Sequence, residues 1–292
     1  MIQTVTRKEL EFMLQQEGET LKTMIPLVNE LIRKNKLPLK VVDNKLVDVG
    51  DSTEAWLSRF VSNDPDIIRM KEDVKKLAVI EEDKDQLFCV MINGPTGTGK
   101  EIIALALHGD RLGSFVPINC AGLPSELIES ELFGHVAGAF TGATKTKDGL
   151  MRTASKGTLF LDEIGELPLQ AQAKLLRAIQ SKTIRKVGAD KDEQVNCRIV
   201  CATHRDLRKM AYEQETFRLD LYARISTFEL VISGLKERHG DVVPICESIE
   251  GGKEFLDALL KSRTLSQIDL SLNVRSLQQQ IKRYKILGKL PE

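Results

Sequence analysis

The sequence predicts an α/β protein, with a parallel sheet held between two layers of helices, a small α+β unit before it and a short helical segment after it. Three observations carry this. Five apolar runs, "LFCVMING", "SFVPINC", "TLFLDE", "RIVCATH" and "TFELVIS", lie between residues 87 and 233, most of them continuous rather than alternating. Strands covered on both faces read this way. Helical patterns separate the runs, so the strands are joined by crossovers and lie parallel. The first run also opens straight into a glycine-rich turn, "GPTGTGK", and then a helical stretch, "EIIALAL".

Residues 1–60 read as a separate small unit. "RKELEFMLQQEGETLKTMIPLVNELIRKN" is mostly helical, with Leu21, Ile25, Val28, Leu31 and Ile32 at helical spacing and Pro26 ending or kinking the helix. "LKVVDNKLVDVG" is a hairpin turning at Asp43-Asn44, and "DSTEAWLSRF" opens with helix-capping residue types. This unit carries no catalytic constellation, which fits a packing or partner-binding module. Residues 61–235 hold the five strands, and the charged run "EEDKD" at 81–85 reads as a solvated loop. Residues 236–292 return to helix in "GGKEFLDALLKS" and "NVRSLQQQIKRYKIL". No internal repeat is present.

A chain of 292 residues that is 42% hydrophobic can bury a large core, divided into two or three domains. Its 42 basic and 42 acidic residues cancel, so nothing global argues for nucleic acid or an anionic membrane. There is no 18-residue apolar run, and polar and acidic sequence follows Met1, so a cytoplasmic protein without membrane contact is expected. None of the five cysteines forms a C-x-x-C pair. Cys197 and Cys201 share a face of one strand, and buried reduced thiols are expected rather than a metal or redox site.

The chemistry concentrates in two places. Gly94, Pro95, Thr96, Gly97, Thr98, Gly99 and Lys100 form a G-x-x-x-x-G-K loop between a strand and a helix. Glycines let backbone N–H groups curl around phosphate oxygens, the helix N-terminus adds its dipole, and the lysine reaches the terminal phosphates. The metal-binding Ser or Thr that commonly follows is replaced by Glu101. The other reading is a glycine-rich turn with an unrelated lysine. About sixty residues on, "GTLFLDEIGELP" ends an apolar strand in Asp162-Glu163. Asp162 would hold Mg²⁺ through water and Glu163 would polarise the attacking water. The alternative is an acidic pair opening a helix. Two such pieces in one domain favour an Mg²⁺-ATP site. "HRDL" at 204–207 mimics part of a kinase catalytic loop, but Ala211 stands where a kinase needs Asn.

A third stretch, "GHVAGAFTGAT", is uncharged and too glycine-rich for a helix or strand interior. It pushes one large apolar residue, Phe140, into the middle of a hinged loop, as a contact device would.

Together these segments resemble the AAA+ ATPase domain of bacterial sigma-54-dependent transcription activators (enhancer-binding proteins) over roughly residues 61–288. The resemblance rests on "GPTGTGKE", "PINCAGLPSELIESELFGHVAGAFTGAT", "GTLFLDEIGELPLQAQAKLLRAIQ", "FRLDLYARI" and "GLKERHGDV". It implies an AAA+ three-layer P-loop domain with a shortened helical lid, hydrolysing ATP with Mg²⁺. It implies that Gly138, Ala139, Phe140, Thr141, Gly142 and Ala143 are the tip that contacts the sigma-54 RNA polymerase holoenzyme, driven by nucleotide state so that promoter DNA opens. It implies that Asn119 holds Glu163 in a waiting position, that Arg218 and Arg224 act on the neighbouring subunit's nucleotide, and that Arg275 senses nucleotide from the lid. Trans-acting arginines imply a ring, a hexamer by resemblance.

The departures are specific. His204 stands where the family usually has Asn, and would sense the γ-phosphate in its place. "SLNVRSL" replaces the family's Pro-Gly before the Asn and Glu-Leu after the Arg. Seventeen residues follow Arg275, too few for a helix-turn-helix, and no basic recognition helix lies elsewhere. Two rival readings therefore stand beside a sigma-54 motor: an AAA+ remodeller of a different client, and a non-hydrolysing nucleotide-binding regulator or decoy of sigma-54.

Overall fold

The computed structural model describes residues 52–80, 85–262 and 267–290, with a few upstream positions and the backbone of one hairpin. That hairpin pairs Leu39–Val42 with Lys45–Asp48 antiparallel, Val42 opposite Lys45, in the register the sequence indicates. Most of the long upstream helical pattern and most of the charged run at 81–85 lie outside the described residues.

The central sheet has five strands: β1 (Cys89–Asn93), β2 (Phe115–Asn119), β3 (Thr158–Asp162), β4 (Arg198–Thr203) and β5 (Glu229–Val231). Each falls inside one of the five apolar runs. The order across the sheet is β5-β1-β4-β3-β2, and every neighbouring pair is parallel. Side chains alternate between two cores. Cys89, Met91, Leu159, Leu161, Ile199 and Cys201 enter one; Val90, Ile92, Phe160, Val200 and Ala202 enter the other. Both faces are covered, so neither could be polar, and this explains the unbroken apolar runs.

Helices α1 (Thr53–Arg59), α2 (Pro65–Ala78) and α3 (Lys100–His108) cover one face. Asp64 caps α2 by accepting from the Asp66 and Ile67 N–H groups, with Pro65 in the first turn. Helix α1, which sequence reading groups with the N-terminal unit, packs on α3 and sends Leu57 and Phe60 into the sheet core. Burying two such side chains contributes about 1.5–3 kcal/mol each.

The other face is covered by α4 (Ser125–Phe133), α5 (Leu169–Ser181), α6 (Leu207–Tyr212) and α7 (Leu219–Ile225). Two small antiparallel hairpins project nearby, one pairing Gly134–His135 with Lys147–Asp148 and one pairing Thr183–Arg185 with Asp192–Gln194. The C-terminal helices α8 (Val242–Ser248), α9 (Gly252–Ser262) and α10 (Val274–Leu287) form a lid with its own core of Ile245, Phe255, Leu259, Leu277 and Ile281. All five cysteines are buried, and none is in a disulfide. Burial pushes Cys120 up to about 12 and Cys246 up to about 11, and raises Cys89 and Cys201 as well. Thiols so protonated are poor nucleophiles and poor metal ligands.

Candidate functional site

In an open parallel sheet, ligands bind beyond the carboxyl ends of the strands. Here a cleft of about 400 Å³ opens at that edge, between sheet and lid. Thr96–Ile102 line it on one side and Asn119, Asp162 and Glu163 on another; Arg275 and Gln278 come from the lid. Phe60, Val61, Ile245 and Ile249 add an apolar flank.

The loop after β1 is shaped by glycine. Gly97 and Gly99 adopt φ of +78° and +99°, the left-handed region that side chains rarely tolerate. A Cβ on Gly97 would also lie 2.1 Å from the Leu272 carbonyl oxygen of the lid. Lys100 is 7% exposed, and its Nζ donates to the Gly94 carbonyl at 2.8 Å and the Pro95 carbonyl at 3.3 Å. Burial lowers its pKa, with the Glu163 and Asp162 carboxylates pulling the other way. An ammonium so placed gains from any anion that enters the cleft.

Parallel pairing sets Asn119, the last residue of β2, beside Asp162, the last of β3. Burial, then the Glu163 charge, raises the Asp162 carboxyl, and Lys100 offsets this only in part. Glu163 follows at φ +53°. A non-glycine residue held there costs about 1–2 kcal/mol and turns the chain sharply at the strand end. Its Oε2 lies 2.7 Å from Nδ1 of His204, just past β4. An ionised carboxylate only accepts, so the imidazole N–H donates. Asn119 does not make the contact with Glu163 that the resemblance implies: its Oδ1 instead accepts the Ala121 N–H at 2.9 Å, capping a short turn.

Arg218 and Arg224 do not line this cleft. Arg218 forks onto Asp220 at 2.8 and 3.1 Å, and Arg224 donates to Gln86 Oε1 at 3.0 Å. The Gly138–Ala143 stretch also lies away from the cleft. It is a tight loop closed by Gly138 N–H to Ala143 O at 2.8 Å, with Gly138 and Gly142 at φ +81° and +97° and open space where a Cβ would be. Phe140 is 39% exposed and packs edge-on against His135 at 5.0 Å.

Two residues of the site escaped sequence reading. Asn273, 5% exposed, bonds both the phosphate loop and the linker before the lid. Arg238 lines the cleft while paired at 2.8 Å with buried Asp241. The only signals were an Asn two residues before Arg275 and the "RHGD" run, both of which depend on tertiary contacts for their meaning.

The sigma-54 interaction domain family matches residues 60–231. This chain belongs to it. The sigma-54 interaction domain is an AAA+ ATPase family, and the chain's relatives are transcriptional activators. The chain is 42% identical over 207 residues to the transcriptional regulatory protein GlrR of Escherichia coli, covering 70% of this chain and 45% of that protein. It is 44% identical over 195 residues to the response regulator PilR of Pseudomonas aeruginosa, covering 66% and 42%. The chain thus spans less than half the length of these curated relatives. A crystal structure of NtrX from Brucella abortus in complex with ADP superposes with a TM-score of 0.62 at 24% identity, covering 93% of this chain and 58% of that one. At that identity the likeness shows the fold: a five-stranded parallel sheet with flanking helices, as this sigma-54 interaction domain has.

Proposed function

We propose that this sigma-54 interaction domain is an Mg²⁺-dependent ATP-hydrolysing motor that engages the sigma-54 RNA polymerase holoenzyme through Gly138–Ala143 and drives promoter opening. The observation that carries the reading is the convergence, on one cleft, of Thr96–Lys100 of the glycine-rich loop, the Asp162-Glu163 pair and Arg275. NtrX, with the same fold, has been captured with ADP and with ATP.

The donor set fits magnesium. Among the described residues no cluster of three or more His, Cys, Asp and Glu side chains could cage a metal. Mg²⁺ needs no such cage, since it keeps several waters and takes one or two carboxylates plus phosphate oxygens. Asp162 would supply that carboxylate, and the bound ion would neutralise charge on the phosphates. The loop N–H groups and Lys100 would orient the triphosphate, Arg275 would close over it from the lid, and Glu163 would orient the attacking water. Arg218 and Arg224 do not line their own cleft, as is expected of arginines serving a neighbour's nucleotide. Such trans arginines are worth roughly 10³–10⁵ in rate, so the working form is a ring, a hexamer in this reading.

The test is binding of purified sigma-54 in the presence of ADP–aluminium fluoride, with Thr141→Ala beside the wild type. Nucleotide-dependent binding that is lost in the variant is the expected result. ATP hydrolysis without sigma-54 binding would mean the motor serves another client.

A further inference from the structure

We infer that His204 is the residue that parks Glu163, and that the γ-phosphate releases Glu163 by taking over the imidazole's N–H. The inference rests on the nucleotide reading above and names how that site is switched.

The placement is built from both sides. The preceding residue, Thr203, is fully buried, and its carbonyl accepts the Gly94 N–H at 3.1 Å, so the end of β4 is tied to the first glycine of the phosphate loop. The following residue, Arg205, donates its N–H to Thr203 Oγ1 at 3.0 Å and its guanidinium pairs with Glu166, in the turn just after Glu163. His204 therefore sits on a short span clamped at one end to the phosphate loop and at the other to the Glu163 turn. β4 lies between β1, which leads into the phosphate loop, and β3, which ends in Asp162, so His204 follows the strand between those two.

For a neutral imidazole the arrangement is exclusive. A neutral imidazole has one N–H. With Nδ1–H given to Glu163 Oε2 at 2.7 Å, the other ring nitrogen presents a lone pair and cannot bond a phosphate oxygen. A triphosphate in the cleft competes for that single donor, by ring rotation or by relocation of the proton through water to Nε2. When it wins, Glu163 loses its partner and is free to turn to the attacking water. An Asn at this position has two N–H donors on one nitrogen and would not impose the same choice. Asn119 spends its Oδ1 on the Ala121 N–H and makes no hydrogen bond to Glu163, so the contact on Glu163 comes from the end of β4 rather than from the end of β2.

The experiment uses the full chain labelled with ¹⁵N-histidine. It has four histidines, and the ring signals lost in His204→Asn are those of His204. In the nucleotide-free protein, Glu163→Ala is expected to shift the His204 ring nitrogens. With ADP–beryllium fluoride bound, the same substitution is expected to leave them unmoved. Ring nitrogens insensitive to Glu163→Ala in the empty protein, or equally sensitive in both states, would overturn the proposal. Failure of ADP–beryllium fluoride to bind would instead sink the nucleotide reading, which keeps the two failures distinct. Steady-state kinetics give a second readout. His204→Ala should lose at least about tenfold in kcat with KM for ATP changed by less than about threefold, and His204→Asn should recover much of that loss. A parallel change of kcat and KM in the alanine variant would reduce His204 to a binding contact.

Discussion

Asn273 ties the lid to the phosphate loop: its Nδ2 donates to the Thr96 carbonyl at 2.8 Å while its Oδ1 accepts the Leu235 N–H at 2.7 Å. The Val274 N–H adds a bond to the Gly97 carbonyl at 3.1 Å. One amide thus joins three segments that meet only in the folded state. Its φ of +54° with ψ of −130° lies outside the left-handed α region, so these hydrogen bonds hold a backbone conformation that side chains rarely adopt.

Asn273→Ala leaves the Thr96 carbonyl and the Leu235 N–H without their partner, at about 1–3 kcal/mol per buried group. The loop and lid would no longer hold one geometry around the cleft. Affinity for a fluorescent ATP analogue should fall at least about tenfold, a loss of about 1.4 kcal/mol in binding. Asn273→Asp, which accepts but cannot donate, should lie between the two. Unchanged affinity in Asn273→Ala would mean the lid contributes nothing to nucleotide binding.

Glu163→Gln keeps the size of the side chain and removes its basicity. Nucleotide affinity should stay within about threefold of wild type, and turnover should fall by roughly 10²–10⁴, the range for loss of a positioned general base. Single-turnover hydrolysis beside equilibrium binding separates the two effects. Near-wild-type turnover would remove Glu163 from the chemistry.

How much of this was legible in the sequence depends on the distance over which each feature is encoded. The five strands were readable because each is buried on both faces and so is apolar throughout. The Gly94–Lys100 loop and the Asp162-Glu163 pair stood out because each motif is contiguous in the sequence, and Thr96–Lys100 and both acids line one cleft. The Glu163–His204 contact was not. It spans 41 positions and exists only because β4 inserts between β1 and β3, an order no periodicity reveals. Helix α1 was legible as a capped helix, because capping is local, but its packing on α3 was not, because that is set by the tertiary fold.

Lys186 links the two small hairpins. Its side chain is 8% exposed and lies 2.7 Å from Asp148 Oδ1 and 3.1 Å from Glu193 Oε1. Its hydrogen bond to Asp148 holds the Lys186 pKa up and the Asp148 pKa down. The Val136 N–H to Val187 carbonyl bond, at 3.1 Å, runs alongside. Lys186→Met should therefore loosen the base of the Gly138–Ala143 loop. Because the carboxylates are partly exposed, the stability loss should be modest, about 1 kcal/mol. Amide hydrogen exchange over residues 134–148 should rise while ATP hydrolysis is retained. Unaltered exchange would show that the backbone bonds alone hold the loop.

Asp241 and Arg238 form a buried pair that fixes where the lid linker meets the chain entering α2. Asp241 is 1% exposed; its Oδ1 accepts the Asn63 N–H at 2.7 Å, and its Oδ2 takes Ser62 Oγ and Arg238 Nη1. Burial alone would raise this carboxyl, but the Ser62, Arg238 and Asn63 hydrogen bonds together hold it below its ordinary value. A depressed carboxyl contributes stability that is present above the unfolded-state value, about 3.9, and is lost as pH falls through the lower folded value. Asp241→Asn leaves Arg238 buried without its counter-charge, which costs about 3–5 kcal/mol near neutral pH. Urea unfolding at a series of pH values checks this. The gap between wild type and variant should be widest near neutrality and should narrow as pH falls below about 4, where Asp241 of the unfolded chain begins to take up its proton while the folded one still resists it. A gap that stays constant across that range would mean the charge on Asp241 contributes nothing, and that the hydrogen-bond geometry, which Asn can partly mimic, is what secures the linker.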